Sequence, residues 1–204
     1  MAEPKVCVSL EAITVEEMID EATRANIAGA DYVEVRFDKL YLNKPEPITM
    51  VNDDGEEYSK MPPIEEWGVK DFEEIDVEQA IANLKEGIPV PVVFTARAVR
   101  EGGFFAGTEQ ERLQILEQGI KSEVSFVDLE LSIEKKSRDK LVKLASSSNC
   151  QVIASIHETK ATPSAEEIVT MVKDNSSQGD IIKFCSTVSN HQDALQIFLS
   201  LIHI

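Results

Sequence analysis

Basic residues are scarce in this chain. Twenty Lys and Arg stand against 37 Asp and Glu, leaving a net charge of -17. So acidic a chain is poorly suited to nucleic acid, whose phosphates need Lys and Arg, or to an anionic membrane surface. Cysteine is almost as scarce. Cys7, Cys150 and Cys185 are odd in number and widely spaced, with no C-x-x-C pair. A disulfide framework is thereby disfavoured and a reducing, cytoplasmic compartment is expected. The three histidines, His157, His191 and His203, have no ligand-like spacing, so no metal site is expected. No apolar run approaches a membrane span. The opening "MAEPKVCVSL" lacks the basic region and apolar stretch of a secretory signal, so none is expected there. There is no G-x-G-x-x-G after the first apolar run and no G-x-x-x-x-G-K-[ST], so neither a dinucleotide fold nor a P-loop is read.

What is present is an alternation. Short β-branched runs are each followed by a helix-start signal and an amphipathic stretch. "KVCVSL" reads as a strand. Thr14 with Glu17 has capping-box spacing, and Val15, Met18, Ile19, Ala22 and Ala25 share one helical face that ends at Gly29. "YVEVRFD", "VPVVFTAR", "FVDLEL", "QVIASIH" and "IIKFCST" read as five more strands. The helices between them are marked by Asp76 with Gln79, by Thr108 with Glu111, and by Thr162 with Pro163 at an N-cap and first turn. A final helix, "HQDALQIFLSLIHI", closes the series. Between about Lys39 and Ile75 the pattern lapses. Thirteen acidic residues against four lysines, from Asp38 to Glu78, predict a solvated excursion with a short hairpin or helix, a disordered loop being the alternative. Six strand–helix alternations predict an α/β fold with a parallel sheet, read as one barrel-type domain over residues 1–204.

Polar residues gather at the strand C-terminal ends: Ser9, Glu34 and Arg36, Arg97, Asp128 and Glu130, His157 and Lys183. In both barrels and doubly wound sheets that end carries the ligand site. Lys183 interrupts an apolar run. It either snorkels to solvent or pairs with Glu130 or Glu34, or it serves as a nucleophilic amine for a carbonyl substrate. The second role needs a neutral fraction, which burial and the cations Arg36 and Arg97 would promote by lowering its pKa. His157 is either a satisfied structural group or a proton carrier, with Glu101, in the loop after the "VPVVFTAR" strand, as the carboxylate to fix its tautomer. Glu34 and Arg36 share a strand face, as an internal ion pair or a polar clamp. Arg97 offers a fork for carboxylates or hydroxyls. Asp128 and Glu130 are read as internal carboxylates supporting Lys183 or the arginines.

Together "CVSL", "GADYVEVRFD", "VVFTARAVREGG", "FVDLELS", "VIASIHETKATPSAEEIV" and "GDIIKFC" resemble type I 3-dehydroquinate dehydratase, the Schiff-base enzyme of the shikimate pathway. The resemblance covers the chain apart from the acidic segment. It implies a (β/α) TIM-type barrel and syn elimination of water from 3-dehydroquinate to give 3-dehydroshikimate. It implies Lys183 as the imine-forming amine, His157 as the proton carrier and Glu101 as its orienting group. Ser9, Glu34, Arg36 and Arg97 would bind substrate, with Asp128 and Glu130 supporting. No cofactor is implied; the only partners expected are the small-molecule substrate and, as in the family, a second copy in a homodimer. The family has eight βα units, whereas about six are legible here. The last two carry a carboxylate-binding arginine and a lid loop. The alternative reading is therefore a non-catalytic remnant, or a fragment of a bifunctional dehydratase–shikimate dehydrogenase; a plant-type fused enzyme would place it in a plastid.

Overall fold

Six strands rich in β-branched and aromatic residues are each followed by a helix, and the apolar stripes of the first four helices pack into the core against the sheet. The computed structural model describes residues 4–203. The strands are β1 (Cys7–Ser9), β2 (Tyr32–Arg36), β3 (Leu42–Asn43), β4 (Ile48–Val51), β5 (Glu57–Lys60), β6 (Gly68–Val69), β7 (Val92–Thr95), β8 (Phe126–Glu130), β9 (Gln151–Glu158) and β10 (Ile181–Ser186). The helices are α1 (Val15–Ile27), α2 (Val77–Gly87), α3 (Glu109–Lys121), α4 (Lys135–Ser147), α5 (Ala165–Asp174) and α6 (His191–Leu201). The principal sheet has the order β1-β2-β7-β8-β9-β10, and every pairing in it is parallel. This is an α/β fold with a curled, half-barrel sheet of TIM-like type.

Parallel sheets covered on both faces read as continuous apolar runs. Here β2 and β8 alternate instead, and the alternation assigns the faces. Val33 and Val35 of β2, Phe94 of β7, and Val127 and Leu129 of β8 pack into the core with Met18, Ala22, Ile115, Leu116 and Ile120. The intervening residues point inward. Val93, Phe126 and Ile153, with Tyr32 against them, make a small apolar floor. Glu34, Thr95, Arg97, Asp128, Glu130 and Ser155 line the interior above it, all buried.

The helix starts follow the sequence signals with two corrections. Thr108 and Glu111 form a reciprocal capping box, and Asp76 accepts from the Gln79 amide. Thr14 accepts from the Glu17 amide, but the Glu17 side chain does not return the bond. Helix α5 is capped by Ser164 with Glu167, not by Thr162. Thr162 instead donates to the Thr187 carbonyl, tying the loop to the end of β10.

The acidic segment is ordered. Strands β4 and β5 form a hairpin whose turn is held by the Asn52 side chain accepting from the Asp54 and Glu56 amides. Residues 46–60 are exposed, as expected of a solvated excursion. Its start is not: Lys39, Leu40, Tyr41 and Leu42 are buried. The Tyr41 ring stacks on Phe72 and meets Phe105 edge-on at 5.0 Å between centroids. Aromatic contact at both ends of the segment fixes it to the barrel, which acidic composition alone does not reveal.

No helix among the described residues is long and apolar enough to cross a membrane. Leu116 is fully buried between α3 and the sheet. Leu116→Ala is expected to cost about 2–5 kcal/mol of stability, read as a lower urea midpoint at unchanged slope.

Candidate active site

The interior charges are brought together by strand pleat. Residues two apart on one strand share a face, so Glu34, Asp128, Glu130, Ser155, His157, Lys183 and Cys185 all project into the half-barrel at successive heights. The register sets Lys183 beside Ser155 and Cys185 beside His157.

Lys183 Nζ donates to Glu34 Oε1 at 2.9 Å and to Asp128 Oδ2 at 3.2 Å. Its side chain keeps 28% exposure, opening onto a groove of about 570 Å³ lined by Ser9, Tyr32, Glu34, Phe126 and Phe184. Burial and Arg97 act to lower the pKa of Lys183, as its sequence setting suggests. Asp128 and Glu34 outweigh them, and the net shift is upward, correcting the expected fall. Burial works against ionisation of Glu34, yet the ammonium and the Ser9 and Thr95 hydroxyls hold it down at about 2. Ser9 donates to Glu34 Oε2, and Thr95 to Oε1 at 2.8 Å.

Arg97 sits at the centre. Its guanidinium is buried and donates to Asp128 Oδ2 (2.9 Å), Asp128 Oδ1 (3.2 Å), Glu130 Oε1 (3.0 Å) and Ser155 (3.2 Å). The fork expected to face a ligand is therefore engaged with internal acids. Burial disfavours the Asp128 anion, but Arg97 and Lys183 keep its pKa below the usual carboxylate range. At Glu130 burial prevails over Arg112 and Arg97, and the pKa rises.

His157 Nδ1 lies 2.8 Å from Glu101 Oε2 and 3.3 Å from Arg97 Nη1. A guanidinium N–H is only a donor. The carboxylate only accepts and is the nearer of the two, so Nδ1 is the protonated nitrogen, Nε2 is left for exchange, and Arg97 stands beside the ring as a charge and not as a hydrogen-bond partner. Burial lowers the His157 pKa; Cys185 and the Glu101 carboxylate raise it, and the result is about 9. Ser132 donates to the other Glu101 oxygen.

Arg36 does not pair with Glu34. It makes two bonds to Asp38, at 2.9 and 2.7 Å, and stands over the Phe104 ring. Asp38, fully buried, also accepts from the Arg97 amide at 3.2 Å and the Phe104 amide at 3.0 Å. Sequence reading placed Asp38 at the end of the "YVEVRFD" strand and in the acidic run, without a role in the site; the strand stops at Arg36 and a short helical turn begins at Phe37. The position of Asp38 two residues beyond Arg36 was the available signal. Thr95, Ser155 and Ser132 were missed because small hydroxyls in a strand or loop carry no distinctive pattern.

The "EGG" stretch is a tight return. Gly102 adopts φ +75, and a Cβ on Gly103 would fall 2.1 Å from the Arg97 carbonyl oxygen. Glycine at both positions lets the loop fold back and aim Glu101 at His157.

All nine expected site residues thus belong to one connected interior network, Arg36 joining it through Asp38. The arrangement offers an amine between two carboxylates and an imidazole held by a third, a set able to form an iminium and move a proton beside it.

The family model described as Type I 3-dehydroquinase matches residues 6–203. The 3-dehydroquinate dehydratase of Methanocaldococcus jannaschii is 33% identical over 144 residues, spanning 70% of this chain and 63% of that protein. That of Methanopyrus kandleri is 29% identical over 193 residues, 94% of this chain and 71% of the relative. The solved structure of type I 3-dehydroquinate dehydratase from Clostridium difficile superposes with a TM-score of 0.73 at 24% identity, covering 98% of this chain and 69% of the other. With the match running over nearly all its length, the chain belongs to the type I 3-dehydroquinase family.

Proposed function

We propose that this chain performs Schiff-base dehydration of 3-dehydroquinate to 3-dehydroshikimate. The observation that carries the reading is the pairing of amine and base in one interior. Lys183 lies between Glu34 and Asp128, and His157 is held by Glu101. The amine adds to the substrate ketone, and loss of water gives an iminium. The carboxylates that stabilise the resting ammonium also stabilise that cation, because charge and position are retained. The iminium draws electrons from the adjacent C–H bond, and His157 Nε2 takes the proton. The resulting imidazolium then protonates the departing hydroxyl, and water hydrolyses the product iminium, returning the amine. Glu101 fixes the tautomer throughout. Ser9 and Glu34 line the groove and, with Arg36 at the end of β2, are assigned to the substrate hydroxyls. Arg97, its fork engaged internally, is assigned chiefly to holding Asp128 and Glu130 in place.

In the same reading the six units are the first six of an eight-unit barrel. The arginine and lid that the family carries on its last two units are not among residues 4–203. The groove is lined by residues of both edge strands, β1 and β10.

Incubation with 3-dehydroquinate and borohydride is expected to leave a reduced adduct, mapped by peptide mass spectrometry to Lys183. Lys183→Ala should abolish it. A folded chain that yields no adduct would overturn the reading. His157→Ala should still form the adduct while turnover falls by about 10²–10⁴-fold; normal turnover would refute the base assignment.

The pH dependence has a definite sign. His157 must be neutral to accept a proton, and its pKa is raised to about 9. Lys183, also raised, must be neutral to attack. Both requirements make kcat/KM climb with pH through the neutral range instead of levelling near 6.5, the ordinary imidazole value. Glu101→Gln removes a carboxylate that raises His157, and should bring that part of the limb towards lower pH.

A further inference from the structure

The interior network accounts for Arg97 but not for a second buried guanidinium, Arg112. It lies on α3, 1% exposed, outside the groove. Nη1 donates to the Ala96 carbonyl at 2.8 Å and to Glu130 Oε2 at 2.5 Å. Nε and Nη2 grip Glu109 at 3.0 and 2.7 Å. Glu109 is gripped from the other side by Arg100, at 3.0 and 3.3 Å. Arg100 immediately precedes Glu101 in the short turn Val99–Glu101, and its Nε reaches Ser132 Oγ at 3.4 Å. That hydroxyl donates to Glu101.

The chain of contacts therefore runs from the core of α3 to the carboxylate that holds His157. It also clamps both ends of one short segment. Ala96 is fixed through its carbonyl, and Arg100 through Glu109. The residues between them carry the Arg97 fork and lead into Glu101.

We infer that Arg112, Glu109 and Arg100 act as a positioning relay for Glu101, and through it set the tautomer and proton affinity of His157. The inference rests on the reading of His157 as the proton carrier, but its test does not depend on turnover. Without the relay, the turn keeps its backbone bonds and the Asp38 and Glu130 contacts to the Arg97 and Ala98 amides, but loses the grip of Arg100 on Glu109 and of Arg112 on the Ala96 carbonyl, and Glu101 loses the part of its orientation that those grips supply. An ammonium cannot replace the Arg112 fork, which serves three acceptor groups in fixed directions.

The charged and titratable groups facing His157 are Glu101 from the loop, Arg97 from the end of β7 and Cys185 from β10. Asp128 and Glu130 of β8 act on it through Arg97. Arg100 faces Glu109 and Ser132 instead. Its removal therefore separates position from charge. By charge alone, deleting a nearby cation raises the proton affinity of an imidazole. By loss of position, the affinity falls, because Glu101 no longer holds the proton.

The experiment is a titration of His157 by NMR in the full chain, comparing Arg100→Met with the parent. Arg100 is 45% exposed at its side chain, so the variant is expected to fold. The midpoint should fall by about one pH unit, a tenfold loss of proton affinity. Arg100→Lys should recover part of that shift. An unchanged or raised midpoint in Arg100→Met would overturn the relay. Arg112→Met, if folded by circular dichroism, should move the midpoint the same way. The borohydride experiment separates the two ideas. An adduct on Lys183 with an unmoved midpoint defeats the relay alone; a lowered midpoint without an adduct defeats the dehydratase reading alone.

Discussion

The guanidinium of Arg97 is the interaction on which the interior depends. Asp128 and Glu130 lie on one face of one strand, and Glu34 stands across from them. Three buried carboxylates in a low-dielectric interior repel one another and cannot all ionise without cations among them. Arg97 supplies the shared positive charge, Lys183 the second and Arg112 the third. Buried ion pairs seldom add net stability over apolar packing, because desolvation offsets attraction. Their effect here is geometrical. Each side chain is held by two or more partners, so the amine, the imidazole and their carboxylates have defined positions before any ligand arrives.

That arrangement explains why Lys183 is charged rather than depleted of its proton. A lysine in an apolar setting becomes a nucleophile by losing proton affinity. Lys183 is instead flanked by two anions, so its environment favours cations generally. The ammonium gains from this at rest, and in the proposed reaction an iminium gains equally. The cost falls on the step that frees the amine, and the benefit on the steps that need a positively charged nitrogen as electron sink.

The half-barrel form leaves marks on the site. Among the described residues β1 and β10 are the edges of the principal sheet, and apolar side chains on and beside them, Val6, Val8 and Ile181, are exposed. Edge strands with apolar side chains are templates for further pairing. The groove holding Lys183 opens between these edges. The His157–Glu101 pair is more enclosed, with only 11% and 9% side-chain exposure.

Much of this was legible in the sequence. The order of six strand–helix units, the helix caps at Asp76 and Thr108, and the gathering of charged residues at strand ends follow from local periodicity and from the chemistry of backbone termini. The pairing of Glu101 with His157 was expected because an imidazole at a strand end needs a carboxylate to fix its tautomer, and Glu101 lies in a loop at the same end of the sheet. Tertiary structure decided what each charge faces. Arg97 turned inward to the acids because two adjacent strands bring Asp128 and Glu130 within reach, which no spacing along one strand encodes. Arg36 chose Asp38 over Glu34 because the chain bends into a short helical turn just after β2. The same contacts reversed the expected pKa of Lys183. Sequence fixes which side chains share a face, a property of the backbone period. Which charges meet across the interior depends on strand register and sheet curvature, which only the assembled fold determines.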